Sequence, residues 1–333
     1  MRSRRLSRAF LGVFLAFAMA VGFLAGPAAA AKKIRVAYGS EGPINDNGWY
    51  EGGYKAALKL KEEPGVNEVT FQERVQPPDL EGVLRRWALA GYNIIFGHGF
   101  EWGEPALKVA SSFPDTLFAI AGFFKTEGHP NVITYLVEAH ETGYLGGVLA
   151  TQMSKTKKIG IIGGFPVPPQ IAEVNGYKLG ARSVDPKVKV VHVFTNDWFD
   201  ASKAKEATIA MIDQGVDVVQ VIASPMGFGG IKAAEERGKF AIGIYRDLNW
   251  MAPDTIISSA IFVWHTAMKQ IILDMREGKV KKLYLVGVPE GGAKMAPFNK
   301  KVPPEVAKKV QAIEADIRSG KVKVPNLSEK LID

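Results

Sequence analysis

Aromatic side chains recur in short segments that directly follow apolar, β-branched runs. The residues of this kind are Phe100, Trp102, Phe165, Trp198, Phe199 and Tyr245. Aromatic ring pairs favour centroid separations of roughly 4.5–7 Å, so several rings gathered at one edge of a sheet can hold a flat ligand by stacking. We therefore expect Phe100, Phe165 and Trp198, together with Trp49, to stack on a planar ligand.

Residues 45–52, Asn-Asp-Asn-Gly-Trp-Tyr-Glu-Gly, stand where a helical pattern begins. One interpretation is local: Asp46 or Asn47 caps the helix and Gly48 makes the entry turn. The other is functional: Trp49 or Tyr50 projects into a ligand site, and Asn45 and Asp46 offer hydrogen bonds. The two roles are compatible, because capping requires only one polar side chain.

Acidic residues also follow predicted strands, among them Glu138, Asp197 and Asp247. Carboxylates in such a site would accept hydrogen bonds from N–H groups of a ligand. A hydrolase would use paired carboxylates in the same places, but the chain has no Gly-x-Ser-x-Gly nucleophile motif. A binding protein is the favoured interpretation, and the hydrolase stays open as the alternative.

Composition narrows the chemistry further. The chain has no cysteine, which excludes thiol catalysis and cysteine-based metal sites. Its five histidines lack the His-Glu-x-x-His spacing, and the glycines from Gly97 to Gly103 miss the dinucleotide-binding spacing by one residue. We expect no metal, no cofactor and no enzymatic activity.

The pattern of the first thirty residues predicts an export signal. Four arginines in the first eight residues precede an apolar run over 9–24 and then Ala28-Ala29-Ala30. This order predicts a cleaved secretory signal peptide, with a retained membrane anchor as the alternative. Without residues 1–30 the net charge falls from +8 to +4, so no nucleic-acid partner is indicated. We expect a soluble exported protein, not a lipoprotein because no cysteine is present.

The rest of the chain alternates strand and helix patterns in two successive runs. The predicted strands of the first run are residues 34–38, 69–72, 94–97, 117–121 and 132–136, and those of the second are 158–162, 188–194, 216–222 and 240–244. Helical patterns of about 10–15 residues separate them, which is typical of parallel sheets. The pattern predicts an α/β protein with two doubly wound lobes and a ligand cleft between them.

Several segments together resemble one family of proteins. They are residues 42–52, 97–105, 143–148, 163–182, 196–200, 212–218 and 294–298. Their order and spacing resemble the basic-membrane-protein family of ABC-transporter substrate-binding proteins, a group that includes purine nucleoside receptors. The resemblance implies a type I periplasmic-binding fold, with lobe 1 formed by 31–137 and about 262–285, and lobe 2 by 138–261 and about 286–333. Three hinge crossovers would join the lobes.

The resemblance also bears on the ligand. Nucleoside receptors of the family usually carry Val-Asp-x-Asp-Gln after the strand that corresponds to residues 240–244, and the first Asp contacts the ribose. Tyr245 occupies that position here and only Asp247 remains. Residues 198–200, Trp-Phe-Asp, and 296–298, Ala-Pro-Phe, resemble the branch associated with free purine bases. The resemblance therefore implies a flat ligand without a sugar.

The implied protein captures a purine base or nucleoside and delivers it to the membrane subunits of an ABC permease. The predicted ligand-binding residues are Asn45, Asp46, Trp49, Tyr50, Phe100, Glu138, Phe165, Trp198, Tyr245 and Asp247. We expect the protein to act as a monomer. The alternatives are a periplasmic hydrolase that acts on a nucleoside and a receptor that senses another flat heterocycle. The second stays open because stacking does not distinguish one planar ring from another.

Overall fold

The computed structural model describes residues 33–333. The predicted signal peptide lies outside the described residues. The strands are β1 (Ile34–Gly39), β2 (Val66–Gln72), β3 (Ile94–Gly97), β4 (Leu117–Ala121), β5 (Val132–Val137), β6 (Lys158–Gly163), β7 (Lys189–Phe194), β8 (Val218–Val221), β9 (Phe240–Tyr245), β10 (Ile256–Phe262), β11 (Leu283–Val286) and β12 (Ala293–Met295). The α-helices are α1 (Trp49–Lys59), α2 (Leu80–Leu89), α3 (Gly103–Ala110), α4 (Ala139–Met153), α5 (Pro168–Val184), α6 (Ala201–Asp213), α7 (Gly227–Glu236), α8 (Trp264–Glu277) and α9 (Pro304–Arg318).

These strands form two six-stranded sheets. The first has the order β11-β5-β4-β3-β1-β2, and all its neighbouring strands are parallel. The second has the order β12-β10-β9-β8-β6-β7 and is parallel except for β12, which runs antiparallel to β10. Parallel neighbours need a crossover connection, usually a helix, which is what the alternating pattern supplies. The prediction of two doubly wound α/β lobes is confirmed.

The chain passes between the sheets three times: from β5 to α4, from β10 to α8, and from β11 to β12. Lobe 1 consists of the first sheet with α1–α3 and α8, and lobe 2 consists of the second sheet with α4–α7 and α9. The short strand β12 was not predicted, because three residues, Ala-Lys-Met, are too few to show a period.

The central strands are covered on both faces. Every residue of β3, β4 and β5 is buried, as expected for parallel strands packed between two layers of helices. The edge strands β2 and β7 are mostly half-buried or exposed. Continuous apolar runs, rather than alternation, are therefore the sequence pattern of this fold.

Helices α4 and α5 approach so closely that their contact requires glycine. A Cβ atom on Gly147 would lie 2.1 Å from the carbonyl oxygen of Tyr177, and one on Gly176 would lie 2.1 Å from that of His140. Helix α4 starts directly after the first crossing, and α5 starts beside a cavity between the lobes, which Gln170 lines. The contact between the two backbones therefore fixes a wall of that cavity relative to the crossing.

Replacement of Gly147 by alanine should destabilise lobe 2. The added methyl group would meet the backbone of α5, which can yield only if the helices move apart. Overpacking of this kind costs about 1–3 kcal/mol. Because the methyl group would meet backbone atoms rather than a flexible side chain, we expect Gly147→Ala to lie at the upper end of this range. Urea denaturation followed by circular dichroism measures the loss in the free energy of unfolding.

The matched control is Gly82→Ala in α2, where the nearest atom to an added Cβ is Arg86 Nη1 at 3.7 Å. This change should leave stability unchanged or raise it by up to about 1 kcal/mol, because alanine is the better helix former. Equal stability of the two variants would contradict the proposed role of the α4–α5 contact.

Candidate functional site

A cavity lies between the lobes, beyond the carboxyl ends of strands from both sheets. Lobe 1 contributes Trp49, Tyr50 and residues 99–101 to its lining. Lobe 2 contributes Val167, Pro169, Gln170, Trp198, Phe199, Ser224 and Tyr245. The cavity encloses about 620 Å³, part of it open to solvent. Open α/β sheets bind ligands at this edge.

Half of the predicted ligand-binding residues line this cavity: Trp49, Tyr50, Phe100, Trp198 and Tyr245. Phe165 stands behind the lining and packs on Trp198, with ring centroids 5.1 Å apart. Asn45, Asp46, Glu138 and Asp247 lie outside the lining, and their surroundings assign them other contacts.

Asp46 organises the start of α1. Its Oδ1 accepts hydrogen bonds from the backbone N–H groups of Gly48 and Glu51, both at 2.9 Å, and its Oδ2 accepts one from Tyr50 at 3.2 Å. These donors have no partner within the helix, so a nearby carboxylate satisfies them. Asp46 thus positions Trp49 and Tyr50 at the cavity and takes the local, capping role.

The backbone N–H and the carbonyl oxygen of Trp49 both have hydrogen-bond partners. Its N–H donates to Ser224 Oγ of lobe 2 at 3.1 Å, and its carbonyl oxygen lies 3.1 Å from His98 Nε2. Burial lowers the pKa of His98 to about 3, so the ring is neutral. Its Nδ1 lies 2.9 Å from the hydroxyl of Tyr135, which leaves Nε2 to donate to Trp49. His98 therefore fixes Trp49.

The ring of Trp49 is the centre of an aromatic cluster that joins the lobes. It packs edge-on against Trp264, with centroids 4.6 Å apart, and against Tyr245 of lobe 2, at 5.5 Å. It also lies 5.0 Å from the ring of His98. These edge-on contacts are the arrangement that aromatic pairs prefer, and they close one side of the cavity with apolar surface.

Tyr245 has a strained backbone. Its φ is +70°, which is rare for a bulky side chain and costs on the order of 1–3 kcal/mol. The residue is buried, and its hydroxyl donates to the carbonyl oxygen of Ile222 at 3.4 Å. Strain of this kind concentrates at functional sites, and here it directs the ring into the cavity wall.

Trp198 lies directly on the backbone of lobe 2. A Cβ atom on Gly164 would be 2.2 Å from its ring, so glycine is required there. The neighbouring Asp197 is committed to the loop: a hydrogen bond from Lys203 and two from backbone N–H groups lower its pKa to about 2. Asp197 therefore stabilises the loop that presents Trp198.

The remaining predicted polar residues are elsewhere. Asn45 is exposed to solvent. The Oδ1 of Asp247 accepts a hydrogen bond from the backbone N–H of Asn249 at 2.9 Å. Glu138 lines a smaller cavity with Asn326 at the first crossing, where burial and the nearby Glu290 raise its pKa. None of these three belongs to the lining of the interlobe cavity.

Three polar residues of the lining were not predicted from the sequence: Glu101, Gln170 and Ser224. Glu101 and Ser224 come shortly after β3 and β8, so the rule that singled out the aromatic residues would also have found them, whereas Gln170 lies in the first turn of α5. Gln170 is committed to structure, because its Oε1 accepts from the backbone N–H of Gly164 and its Nε2 donates to the carbonyl oxygen of Ile222.

A second carboxyl group stands behind the lining. Glu41, two residues after β1, has both carboxylate oxygens buried without a hydrogen-bond partner in the described chain. A Cβ atom on Gly99 would lie 2.6 Å from either oxygen. Burial, together with repulsion from the nearby Glu101, raises the pKa of Glu41 to about 9. Glu41 therefore keeps its proton at neutral pH.

A polar contact also joins the lobes at the rim. Arg246 of lobe 2 places Nη1 2.6 Å from Glu51 Oε1 and 3.3 Å from Asn47 Oδ1, both in lobe 1. Between residues 33 and 333, no cluster of His, Asp or Glu is arranged to hold a metal ion. No helix within those residues is long and apolar enough to cross a membrane.

Two doubly wound lobes with an aromatic cavity between them define a solute-binding protein. Over residues 31–328 the chain matches the family described as ABC transporter substrate-binding protein PnrA-like, and it belongs to that family. This confirms the resemblance drawn from the sequence. The family consists of extracytoplasmic substrate-binding proteins, not enzymes.

Individual proteins agree with this assignment. The chain is 35% identical over 312 residues to a purine-binding protein of Brucella abortus, covering 92% of this chain and 88% of the relative. It is 26% identical over 294 residues to Basic membrane protein A of Borreliella afzelii, covering 86% and 89%. A solute-binding protein of an ABC transporter system from Aeropyrum pernix K1 has a TM-score of 0.74 at 25% identity, covering 88% and 94%. The type I periplasmic-binding fold is confirmed.

Loss of the rim contact should favour separation of the lobes. Arg246→Ala removes one partner of Glu51, which retains its ion pair with Lys55, so no carboxylate is left uncompensated. Ion pairs that reach solvent are worth about 0.2–1 kcal/mol, so the ratio of open to closed molecules should rise by about 1.5- to 5-fold. Single-molecule fluorescence transfer between the lobes measures this ratio.

The chain has no cysteine, so Leu89→Cys in lobe 1 and Glu206→Cys in lobe 2 provide unique, exposed labelling sites. The control is Arg237→Ala, which removes a 2.8 Å ion pair with Asp213 inside lobe 2. It should leave the ratio of open to closed molecules unchanged. If Arg246→Ala and Arg237→Ala both show the wild-type ratio of open to closed molecules, the contact between Arg246 and Glu51 does not hold the lobes together.

Glu41→Gln should stabilise the protein, and more so as the pH rises. The ordinary pKa of this carboxyl is 4.5 and its folded value is about 9, so between these values the folded state binds one proton more than the unfolded state. Wild-type stability then falls with rising pH, by at most ~1.4 kcal/mol per pH unit for one group. Glutamine has nearly the same shape and does not titrate.

Urea denaturation of both proteins at about pH 5, 6.5 and 8 measures the difference in the free energy of unfolding. That difference should grow across the series. Glu104→Gln, at an exposed position of α3, is the control and should show no such growth. A constant difference between Glu41→Gln and wild type would mean that Glu41 is ionised in the folded protein.

Proposed function

We propose that this protein captures a purine-like nucleobase in the cavity between its lobes and delivers it to the membrane subunits of an ABC importer. The observation that carries the proposal is the set of aromatic side chains that both lobes turn toward one cavity, Trp49 and Phe100 from lobe 1 and Trp198 and Tyr245 from lobe 2. The relative from Brucella abortus that is named as purine-binding supports it.

Stacking explains why a flat ring suits this cavity. Phe100 is largely exposed at the opening, so its face is free to cover a bound ring. Trp198 is half-buried and rests on Gly164, which fixes its ring before a ligand arrives. Because this tryptophan is already fixed, stacking a ligand ring on it costs the protein little side-chain entropy.

A free base should bind more tightly than its nucleoside. Tyr245 stands where nucleoside receptors of this family hold a ribose-binding carboxylate, and its hydroxyl is turned to the carbonyl oxygen of Ile222. A ribose in this cavity would bury hydroxyl groups without matched acceptors, at about 1–3 kcal/mol for each unpaired group. Asp247 lies outside the lining and does not replace the missing carboxylate.

Delivery requires that the cleft open and close. We propose that residues 31–137 with 262–285 move as one lobe and residues 138–261 with 286–333 as the other, about the three crossings. The bound, closed form is then the one that the permease recognises, which is a hinge-type transition. Export, with removal of residues 1–30, and action as a monomer complete this proposal.

Calorimetry with adenine, guanine, adenosine and guanosine tests the ligand. We expect each base to bind at least 5- to 10-fold more tightly than its nucleoside, the equivalent of about one unpaired hydroxyl group. Trp198→Ala should weaken base binding by about 10- to 100-fold, because stacking on one aromatic side chain is worth about 1–3 kcal/mol.

The control variant is Trp250→Ala, which removes an exposed tryptophan outside the cavity lining. It should bind bases as the wild-type protein does. Nucleosides that bind as tightly as bases would refute the preference for a ligand without sugar. The absence of binding to all four compounds would overturn the purine assignment and leave a substrate-binding protein for another solute.

A further inference from the structure

The polar groups of the cavity are unequally available to a ligand. Gln170 is committed through both ends of its amide, and Ser224 Oγ accepts the N–H of Trp49. The hydroxyl of Tyr245 is directed to a backbone carbonyl. Glu101 has neither a hydrogen bond nor an ion pair with any other side chain in the lining, and it is the one charged residue there among the described residues.

No basic side chain lines the cavity among residues 33–333, so nothing there compensates a negative charge on a ligand. Glu101 is instead backed by a second acid, Glu41, whose carboxylate oxygens are both buried and unpartnered. A like charge beside a buried carboxyl disfavours its ionised form, so Glu41 holds its proton behind Glu101.

We propose that Glu101, oriented by the buried and otherwise unpartnered carboxyl of Glu41, is the polar anchor of the ligand, and that it selects flat rings bearing N–H donors over anionic ones. This inference rests on the proposed function, because it concerns the same cavity. Glu101 touches the ligand and accepts its N–H. Glu41 is a positioning residue, which donates its O–H to one oxygen of Glu101 and leaves the other free.

The surroundings of the pair agree with this role. The groups that face Glu41 are Glu101 on the cavity side, Tyr50 at the start of α1, and Tyr38 and Tyr135 in the first sheet. Burial, with a smaller contribution from the proximity of Glu41, raises the pKa of each of these tyrosines. None of them is a cation that would hold Glu41 ionised.

A matched pair of ligands tests the selection: adenine, and purine-6-carboxylate, in which a carboxylate replaces the amino group. Wild-type protein should bind adenine at least 100-fold more tightly, since the carboxylate would meet Glu101 without a compensating cation. Glu101→Gln should weaken adenine binding by about 10-fold, because a charged acceptor bonds about twice as strongly as a neutral one. The same variant should also reduce the preference for adenine over purine-6-carboxylate to less than about 10-fold. Glu104→Gln is the control and should change neither value.

The pH profile tests Glu41. Wild-type affinity for adenine should fall several-fold between about pH 7 and 9.5, as the inner carboxyl loses its proton and the acceptor group loses its orientation. Glu41→Gln keeps an N–H donor beside Glu101, so it should bind adenine like wild type at pH 7 and then show only the smaller fall that comes from ionisation of adenine itself.

The possible failures are distinguishable. If wild type binds neither compound and also none of guanine, adenosine and guanosine, the proposed function fails and this inference with it. If wild type binds adenine but also binds the carboxylate equally well, or if Glu101→Gln leaves both affinities unchanged, the selection by Glu101 is wrong and the proposed function stands. If the pH profiles of wild type and Glu41→Gln coincide, Glu41 does not orient Glu101.

Discussion

Parallel strand pairing is the constraint on which the rest of this structure depends. In a parallel arrangement neighbouring strands end at the same edge of the sheet. The segment after β3 therefore lies at that edge of the first sheet, and the segments after β6, β7, β8 and β9 gather at that edge of the second, whatever their separation in the chain. Three crossings place two such edges on either side of one cavity. Five strand ends and the start of α1 thereby contribute to a single site.

The polar groups that a ligand can use in this cavity are those without a hydrogen-bond partner inside the protein. Asp46 is occupied by the start of α1, Asp197 by its loop and Lys203, and Gln170 by backbone of lobe 2. A buried polar group that is already satisfied has little to gain from a ligand, whereas an unpaired one gains the most. The wall that remains is aromatic, and its charge is concentrated at Glu101.

The seam between the lobes combines apolar packing with few polar bonds. Trp49 contacts Tyr245 through its ring and Ser224 through its backbone, and Arg246 adds one ion pair at the rim. Each polar bond is worth about 1 kcal/mol or less. A seam of this strength is compatible with the opening that we propose, while the glycines between α4 and α5 allow close packing of these two helices within lobe 2.

The sequence by itself determined the alternation of strands and helices, the two-lobed class and the aromatic residues at strand ends, because these follow from local apolar patterns and from the order of elements along the chain. Only the tertiary structure decided which polar groups remain free. Glu41 meets Glu101 across 60 positions, and Trp49 meets Ser224 across 175. No local pattern encodes such pairs, because they arise when separate strands bring their ends together, and burial then sets which carboxyl group keeps a proton.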